Sequence, residues 1–135
     1  FIGPTKNEQA VRAGLGINWA VSEVIHPAIK ERWNDVDTAW KIGHGVGIDT
    51  GEAMLVTAGI RDNSDIISIG PAPNVAAKLS SERTYKTWIT KAVLDELSDN
   101  LQYSDGTRMW STWPANLRVG TKAYAVHGSN YWWEP

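Results

Sequence analysis

At 135 residues, with 42% hydrophobic and 21% charged side chains, the chain has the composition of a globular domain and enough length for one hydrophobic core. A net charge of −2 and a pI near 5.9 exclude the basic surface that binds nucleic acid or anionic membranes, and no apolar run approaches the roughly 18–20 residues that span a bilayer. The absence of cysteine excludes disulfides and thiolate metal sites.

The first predicted element is a long helix over residues 7–32. Gly14 and Gly16 each weaken a helix by roughly 1 kcal/mol relative to alanine, so we expect them where the helix closely approaches a sheet. Pro27 lacks a backbone N–H, which predicts a kink or a break near His26. The helix is indicated by apolar residues at three- and four-residue spacing: Ala10, Ala13, Ile17, Ala20, Val21, Val24 and Ala28.

Strands are predicted next, because apolar residues alternate over residues 40–49 and place His44 on an apolar face. Thr50-Gly51 suits a tight turn, so residues 52–59 are predicted to return as the second strand of a hairpin. Gly70-Pro71 ends a third strand and opens a helix. The predicted order is a loop at 34–38, strands at 40–49 and 52–59, a turn at 61–64, a strand at 65–69 and a helix at 72–81.

The C-terminal part is predicted to add strands, with Thr90 as the N-cap of a short helix. An antiparallel sheet with helices on one side follows, which is an α+β fold. The apolar tail Tyr131–Trp133 requires cover from the domain or from a partner. The predicted elements here are a strand at 85–90, a helix at 91–97, a polar loop at 98–107 and a last strand at 117–126.

Residues 46–79 contain the motif G-I-D-T-G followed by I-S-I-G-P-A-P-N-V-A-A-K-L. Asn74 and Lys78 are four residues apart in the predicted helix, so both side chains project from one face. The pattern resembles the catalytic core of class III nucleotidyl cyclases, and more narrowly the pyrimidine cyclases of bacterial Pycsar antiphage systems. The resemblance implies a ferredoxin-like α+β fold, an α/β sandwich with a mostly antiparallel sheet.

Cyclisation of a nucleoside triphosphate is an intramolecular phosphoryl transfer, which needs an oriented ribose and cations on the spreading charge. Asn74 matches the family asparagine that orients the ribose, although an asparagine here could equally be a helix-start residue. Lys78 matches a position where the family usually has an arginine facing the phosphates. Lysine lacks the planar fork of arginine, and a solvated helix lysine would also be ordinary. By this resemblance we predict Asn74 and Lys78 as the catalytic residues.

Ile67 lies three residues before the motif glycine, where adenylyl cyclases commonly have Asp or Thr and guanylyl cyclases Cys. An apolar side chain cannot pair with the edge of adenine, so Ile67 and the adjacent Ser68 predict a pocket for a smaller base. The alternative is that Ile67 is a strand residue whose side chain only points into the hydrophobic core.

The sequence motifs include no metal site, since no His/Asp/Glu cluster has the spacing of metal ligands. His44 is expected to be a core histidine whose ring nitrogens are hydrogen-bonded, and Asp49 is expected to form a turn. Asp62 and Asp65 lie too close to a turn to be metal ligands. The resemblance implies two divalent ions (Mn²⁺ or Mg²⁺) per site, bound by two aspartates upstream of the long helix. The opening Phe-Ile-Gly-Pro matches the end of that upstream hairpin, so we expect residues 1–135 to form one N-terminally incomplete domain with its metal ligands before residue 1.

The resemblance further implies a cytoplasmic homodimer with shared active sites, in which UTP, or alternatively CTP, is converted to cUMP or cCMP as an antiphage signal. An adenylate or guanylate cyclase is one alternative. A non-catalytic nucleotide-binding dimerisation module is another, favoured by the lysine at position 78 and by the missing aspartates. A diguanylate cyclase is disfavoured because no G-G-D/E-E-F-like hairpin is present.

Overall fold

A computed structural model of the chain describes residues 1–33, 42–60 and 63–135, without the side chains of residues 58–65. The predicted loop at 34–38, the start of the predicted strand at 40–49 and Asp62 lie outside the described residues. The helices are α1 (Lys6–Trp19), a π-helical segment (Ala20–Ile25), α2 (His26–Arg32), α3 (Pro71–Ser80), α4 (Lys91–Leu94) and α5 (Asp99–Gln102). The strands are β1 (Val46–Ile48), β2 (Met54–Ile60), β3 (Asn63–Ile69), β4 (Thr87–Thr90), β5 (Tyr103–Ser104), β6 (Thr107–Arg108), β7 (Ser111–Thr112), β8 (Leu117–Val119), β9 (Lys122–Tyr124) and β10 (Val126–Ser129).

The main sheet has four strands in the order β1-β4-β10-β7. Strand β1 is parallel to β4, with Val46 opposite Thr87, whereas β10 is antiparallel to both β4 and β7. A parallel pair requires a crossover between its strands, and α3 lies on this crossover and packs on β1. The carboxyl ends of β1 and β4 therefore lie at the same edge of the sheet.

Strands β2 and β3 form a separate antiparallel hairpin, which corrects the predicted pairing of residues 40–49 with residues 52–59. The two strands of this hairpin pair along seven residues, from Met54 opposite Ile69 to Ile60 opposite Asn63. Strand β1 has only three residues and pairs with β4. The seven-residue register with β3 offers β2 more cross-strand pairs than a return along β1 would.

The long N-terminal helix is confirmed, and its predicted break is a π-helical segment that precedes Pro27. At the end of this segment the backbone N–H of His26 donates to the carbonyl of Val21, five residues earlier. Pro27 has no N–H for the carbonyl of Glu23, and a π turn shifts the hydrogen-bond partners by one residue. The helix thus continues through the proline without ending.

Helices pack on both faces of the main sheet, because neighbouring residues of β4 point in opposite directions. Ile89 belongs to a core cluster with Val11 and Leu15 of α1, whereas Trp88 belongs to a second cluster with Val75 and Leu79 of α3. The expectation of helices on one side is therefore corrected. The fold is α+β as predicted, with antiparallel pairing dominant and helices on the sheet, and it is consistent with a ferredoxin-like architecture.

Gly45, just before β1, and Gly47, within β1, allow α3 to lie directly on the sheet. A Cβ atom at Gly47 would lie 2.1 Å from the carbonyl oxygen of Ala76, and one at Gly45 would lie 2.2 Å from that of Ser80. Any side chain at these positions would force α3 away from the sheet. These contacts set the distance between α3 and the sheet. They therefore also set the position of the exposed side chains that α3 carries.

On the other face, Gly14 confirms the predicted close approach of the long helix. A Cβ atom there would lie 3.3 Å from the side chains of both Thr87 and Val46. The same expectation for Gly16 is wrong, because its nearest neighbour is Pro135 of the C-terminal tail at 3.4 Å. The glycine pair therefore serves two contacts, one to the sheet and one to the tail.

The C-terminal part differs from prediction at three places. The α-helix predicted at 91–97 ends at Leu94, and the predicted loop at 98–107 contains α5 and β5. The predicted last strand at 117–126 is the hairpin β8–β9 followed by β10, because Gly120 turns the chain with a left-handed φ of +60°. No helix in the described residues is long and apolar enough to cross a membrane.

Candidate active site

Helix α3 begins at a glycine that its surroundings require. Gly70 has a φ of +154°, and a Cβ atom there would lie 2.8 Å from the carbonyl oxygen of Glu52. The chain therefore passes from β3 directly into the helix, with Pro71 in the first turn. The buried face of α3 consists of Ala72, Val75 and Leu79.

Asn74 and Lys78 lie on the opposite, exposed face of α3, one helical turn apart. This confirms that the two side chains share a face, while their catalytic roles stay a prediction. The backbone N–H of Asn74 donates to the carbonyl of Gly70 at 3.4 Å. No hydrogen bond joins the side chain of Asn74 or Lys78 to another side chain or carbonyl within residues 1–33, 42–57 and 66–135. Both polar groups are thus available to a ligand.

Lys78 lines a cavity of about 250 Å³ between α3 and strand β8, which we call the Lys78 cavity. Its floor includes Trp88, which is buried, and half-buried Trp113; their rings meet edge to face with centroids 5.3 Å apart. Arg118 and Glu82 also line the cavity. Sequence patterns did not single out Arg118, because its approach to Lys78 depends on where β8 lies in the fold.

The two predicted base-pocket residues lie on opposite faces of the β2–β3 hairpin, since neighbouring strand residues alternate. Ile67 is opposite Val56 and is 44% exposed, whereas Ser68 is opposite Leu55. Ser68 lines a cavity of about 320 Å³ near the start of α3, and Ile67 does not line it. Ile67 therefore does not point into the core of the described chain, and Ser68 but not Ile67 lines this cavity.

Asp49 directly follows β1 and Thr90 ends β4, so the two side chains meet at the carboxyl ends of these parallel strands. The Thr90 hydroxyl donates to Asp49 Oδ1 at 2.6 Å and makes no hydrogen bond to the start of α4. Thr90 is the N-cap residue of α4 as predicted, but its side chain bonds to Asp49 and not to the helix. Asp49 links the strand ends rather than forming a turn, and it also lines the Ser68 cavity.

His44 has a structural role in the fold. Its Nε2 lies 2.6 Å from Asn18 Oδ1, and because this oxygen can only accept, the Nε2–H is the donor. The Asn18 amide in turn donates to Thr87 Oγ1 at 2.9 Å and to the Tyr131 carbonyl at 2.8 Å. Burial lowers the pKa of His44, and the nearby charge of Lys86 lowers it further.

The described residues do not fit a divalent metal ion. Within residues 1–33, 42–57 and 66–135, no group of three or more His, Cys, Asp or Glu side chains could hold one. The structure does not describe Asp62, or the side chain of Asp65. We assign no metal ligand in this chain.

No protein-family model matches the chain. It is similar to three curated proteins named uridylate cyclase. The protein from Burkholderia cepacia is 41% identical over 111 residues (82% of this chain and 47% of that protein), the one from Xanthomonas perforans is 40% identical over 115 residues (84% and 49%), and the one from Rhodovulum sp. (strain MB263) is 34% identical over 145 residues (100% and 58%). The chain thus spans about half the length of the curated relatives that it matches.

Proposed function

We propose that this chain forms part of the catalytic domain of a class III nucleotidyl cyclase that converts UTP into 3′,5′-cyclic UMP and pyrophosphate. The similarity to three proteins named uridylate cyclase supports this proposal, because it extends over 82–100% of the chain. The observation that carries it is the exposed face of α3, which presents an amide and an ammonium group one turn apart. CTP is the alternative pyrimidine substrate.

In the proposed reaction the ribose 3′-oxygen attacks the α-phosphorus and loses its proton to solvent. The new O3′–Pα bond forms while the bond from Pα to the oxygen that bridges the α- and β-phosphorus atoms breaks. Pyrophosphate leaves with the electron pair of that bond. Asn74 would hold the ribose, since an amide can both donate and accept without titrating. Lys78 would stabilise the negative charge that spreads over the phosphoryl oxygens.

A divalent metal ion belongs to the chemistry that the class III resemblance implies, and it would neutralise the triphosphate. The described residues offer no cluster of three or more ligands, so we route no step through a metal ion in this chain. The metal-binding half of the site would come from residues outside positions 1–135.

We further propose that the site forms across a head-to-tail homodimer. The β2–β3 hairpin supports this, because both of its faces expose apolar side chains to solvent. One face carries Met54, Ile67 and Ile69, and the other carries Leu55 and Ile66, which is 74% exposed. Exposed apolar surface of this kind is typical of a protein interface. A second copy would bury it and bring its own groups to Asn74 and Lys78.

The place of the reaction in the cell is also a proposal. The resemblance to pyrimidine cyclases of Pycsar systems suggests a cytoplasmic enzyme whose cyclic product acts as an antiphage signal. The similarity to proteins named uridylate cyclase supports a cyclic pyrimidine nucleotide as that product.

A second candidate function is a nucleotide-binding dimerisation module without turnover. The lysine at position 78 favours it, because an ammonium group cannot provide the bidentate geometry of the family arginine. The lack of a metal-ligand cluster among the described side chains is compatible with either function.

The test is to incubate the purified natural protein that contains this chain with each of the four nucleoside triphosphates and Mn²⁺, and to identify cyclic products by mass spectrometry. We expect cUMP as the main product. Cyclic AMP or cyclic GMP as the sole product would overturn the pyrimidine assignment, and tight UTP binding without any cyclic product would favour the second candidate.

A further inference from the structure

The β2–β3 hairpin joins the rest of the chain at its base. The segment 49–53 connects β1 to β2, and Gly70 connects β3 to α3. Among the described strands, β2 and β3 pair only with each other, and the pair at their base is Met54 opposite Ile69. The orientation of the hairpin therefore depends on the contacts that these two connections make.

Close contacts hold the two connections together. A Cβ atom at Gly70 would lie 2.8 Å from the carbonyl oxygen of Glu52, and one at Gly51 would lie 3.5 Å from the Cβ of Ala72. Both distances place the segment 49–53 directly against the start of α3. The base of the hairpin thus packs on the first turn of the helix.

One side-chain hydrogen bond ties this base to the main sheet. Asp49 Oδ1 accepts from the Thr90 hydroxyl at 2.6 Å, which is the distance of a charge-assisted hydrogen bond to a carboxylate. Thr90 is 2% exposed, so water hardly competes for this bond. The backbone of Thr90 is itself held in the sheet, because Thr90 lies opposite Val126 of β10.

We propose that Asp49 and Thr90 are positioning residues, and that their hydrogen bond, which we call the Asp49–Thr90 anchor, sets the orientation of the β2–β3 hairpin relative to α3. This proposal deepens the proposed function, since Ser68 and Ile67 lie on the hairpin and Asn74 lies on the helix. It depends on the proposed function for the identity of the substrate.

A second observation relates the anchor to the candidate site. Asp49 and Ser68 line the same cavity of about 320 Å³, together with residues of the first turn of α3. A shift of the hairpin would therefore change the shape of this cavity and the distance from its wall to Asn74. Asn74 and Lys78 would keep their relative positions, because both lie on one helix.

Loss of the anchor is thus expected to weaken substrate binding more than phosphoryl transfer. We expect Thr90→Val to raise KM for UTP about fivefold while kcat stays within about twofold, because the lost contribution is the same in the ground state and the transition state. A merely structural defect would instead reduce the amount of folded enzyme, which lowers the apparent kcat and leaves KM unchanged.

Two further variants test whether the two residues act through one bond. Asp49→Ala should raise KM as Thr90→Val does, and the double variant should be no worse than either single variant, because both changes remove the same interaction. Asp49→Asn should retain the wild-type KM, since an amide oxygen still accepts from the Thr90 hydroxyl.

Hydrogen–deuterium exchange of the natural protein without nucleotide tests the anchor independently of turnover. We expect the backbone amides of residues 54–57 and 66–69 to exchange about threefold faster or more in Thr90→Val and in Asp49→Ala, and at the wild-type rate in Asp49→Asn. The matched control is Thr87→Val, which removes a similarly buried hydroxyl from the other end of β4, where it accepts from Asn18. Its melting temperature should fall, while its hairpin exchange and its KM should equal those of the wild type.

Unchanged exchange at the hairpin base in a folded Thr90→Val variant would overturn the proposal, as would an equal acceleration in Thr87→Val. A lower kcat at an unchanged KM would also overturn it, because the hydrogen bond would then contribute only to stability. The exchange measurement separates this proposal from the proposed function. A wild type that makes no cUMP but shows the Thr90-dependent exchange overturns the proposed function and supports the anchor.

Discussion

At the scale of single residues, α3 presents two exposed polar side chains that the sequence pattern identified, and the Lys78 cavity includes a third that it did not identify. Asn74 and Lys78 could be predicted because a spacing of four residues fixes their relation within one helix. Arg118 could not, because it reaches the same cavity from a strand 40 positions further along the chain, and its placement depends on tertiary packing. Spacing in the sequence predicts which residues are neighbours on one helix. Which residues of other elements lie beside them can be read only from the tertiary structure.

Replacement of Asn74 by alanine is expected to reduce the rate of cUMP formation about 100-fold or more, because the ribose would lose its orienting amide. The melting temperature should change by no more than about 2 °C, since the Asn74 side chain is exposed and helix α3 tolerates alanine. Product formation by mass spectrometry and a thermal melt by circular dichroism measure the two effects. Asn100→Ala, an exposed asparagine in α5, is the control that should keep full activity; a large loss of stability in Asn74→Ala would instead assign a structural role.

Lys78 allows a test of the chemical difference between lysine and arginine. We expect Lys78→Ala to lower kcat/KM for UTP about 100-fold, and Lys78→Arg to retain at least about a tenth of wild-type activity, since either cation can stabilise phosphoryl charge. Lys30→Ala in α2, which removes an exposed lysine away from α3, should have no effect. If Lys78→Ala retained full kcat/KM, a role of Lys78 in phosphoryl transfer would be excluded.

His127 should make the stability of the fold depend on pH. It is 6% exposed on β10, both of its ring nitrogens lack partners among the described atoms, and burial lowers its pKa, with smaller contributions from Arg108 and Lys91. Because the folded state favours the neutral ring, the unfolded state binds protons first as the pH falls below about 6.5. The stabilising contribution is thus complete above that pH and is lost as the pH falls from there toward the lowered pKa of the folded state.

Urea unfolding of the wild type at about pH 8 and about pH 5 measures this loss. We expect the free energy of unfolding to be lower at the acid pH, and His127→Phe to reduce the difference because it removes the titrating group. The difference that remains in His127→Phe includes His44, whose pKa burial also lowers. An equal pH dependence in wild type and His127→Phe would show that His127 does not contribute.

At the scale of elements, α3 lies close to the sheet because Gly45 and Gly47 have no side chains where it packs. The sequence predicted the existence and limits of α3 to within one residue, because Gly70-Pro71 marks its start and its apolar residues follow helical spacing. It did not predict that β1 pairs with β4 in parallel, because that pairing joins segments separated by a hairpin and a helix. The wrongly predicted hairpin shows the same limit, since turn residues at Thr50-Gly51 do not specify a partner.

Gly47→Ala tests how closely α3 packs on β1. The added methyl group would lie 2.1 Å from the Ala76 carbonyl oxygen, so α3 must move, and we expect a loss of about 2 kcal/mol or more in the free energy of unfolding. Under the proposed function, the rate of cUMP formation should fall as well, because α3 carries Asn74. Gly43→Ala is the matched control, since nothing lies within 4 Å of its added methyl group, and urea unfolding compares the two variants. Equal stability of both variants would contradict the close packing.

At the scale of the whole molecule, the β2–β3 hairpin extends apolar residues away from the main sheet. It is a two-stranded sheet of its own, and such a hairpin is at most marginally stable in water without further packing. Its exposed isoleucines are therefore the strongest structural reason to expect a second copy of the chain. The sequence indicated this hairpin's strands but not the exposure of both of its faces.

Ile67→Glu and Ile66→Glu place a charge on the two opposite faces of this hairpin. Because a buried unpaired charge is costly, the variant on the interface face should shift the protein from dimer to monomer in light scattering, with a matching loss of cUMP formation. Ser81→Glu, an exposed position after α3, is the control that should stay dimeric. If both hairpin variants stay dimeric and active, the hairpin is not the interface.

The edge-to-face contact of Trp88 and Trp113 has a practical consequence for the study of this protein. The two indoles lie close enough for their electronic transitions to couple, and both border the cavity that contains Lys78. The near-ultraviolet circular dichroism and the intrinsic fluorescence of this pair should therefore respond when the cavity fills. Occupancy could be followed in real time without a label, and Trp113→Phe would identify the part of the signal that arises there.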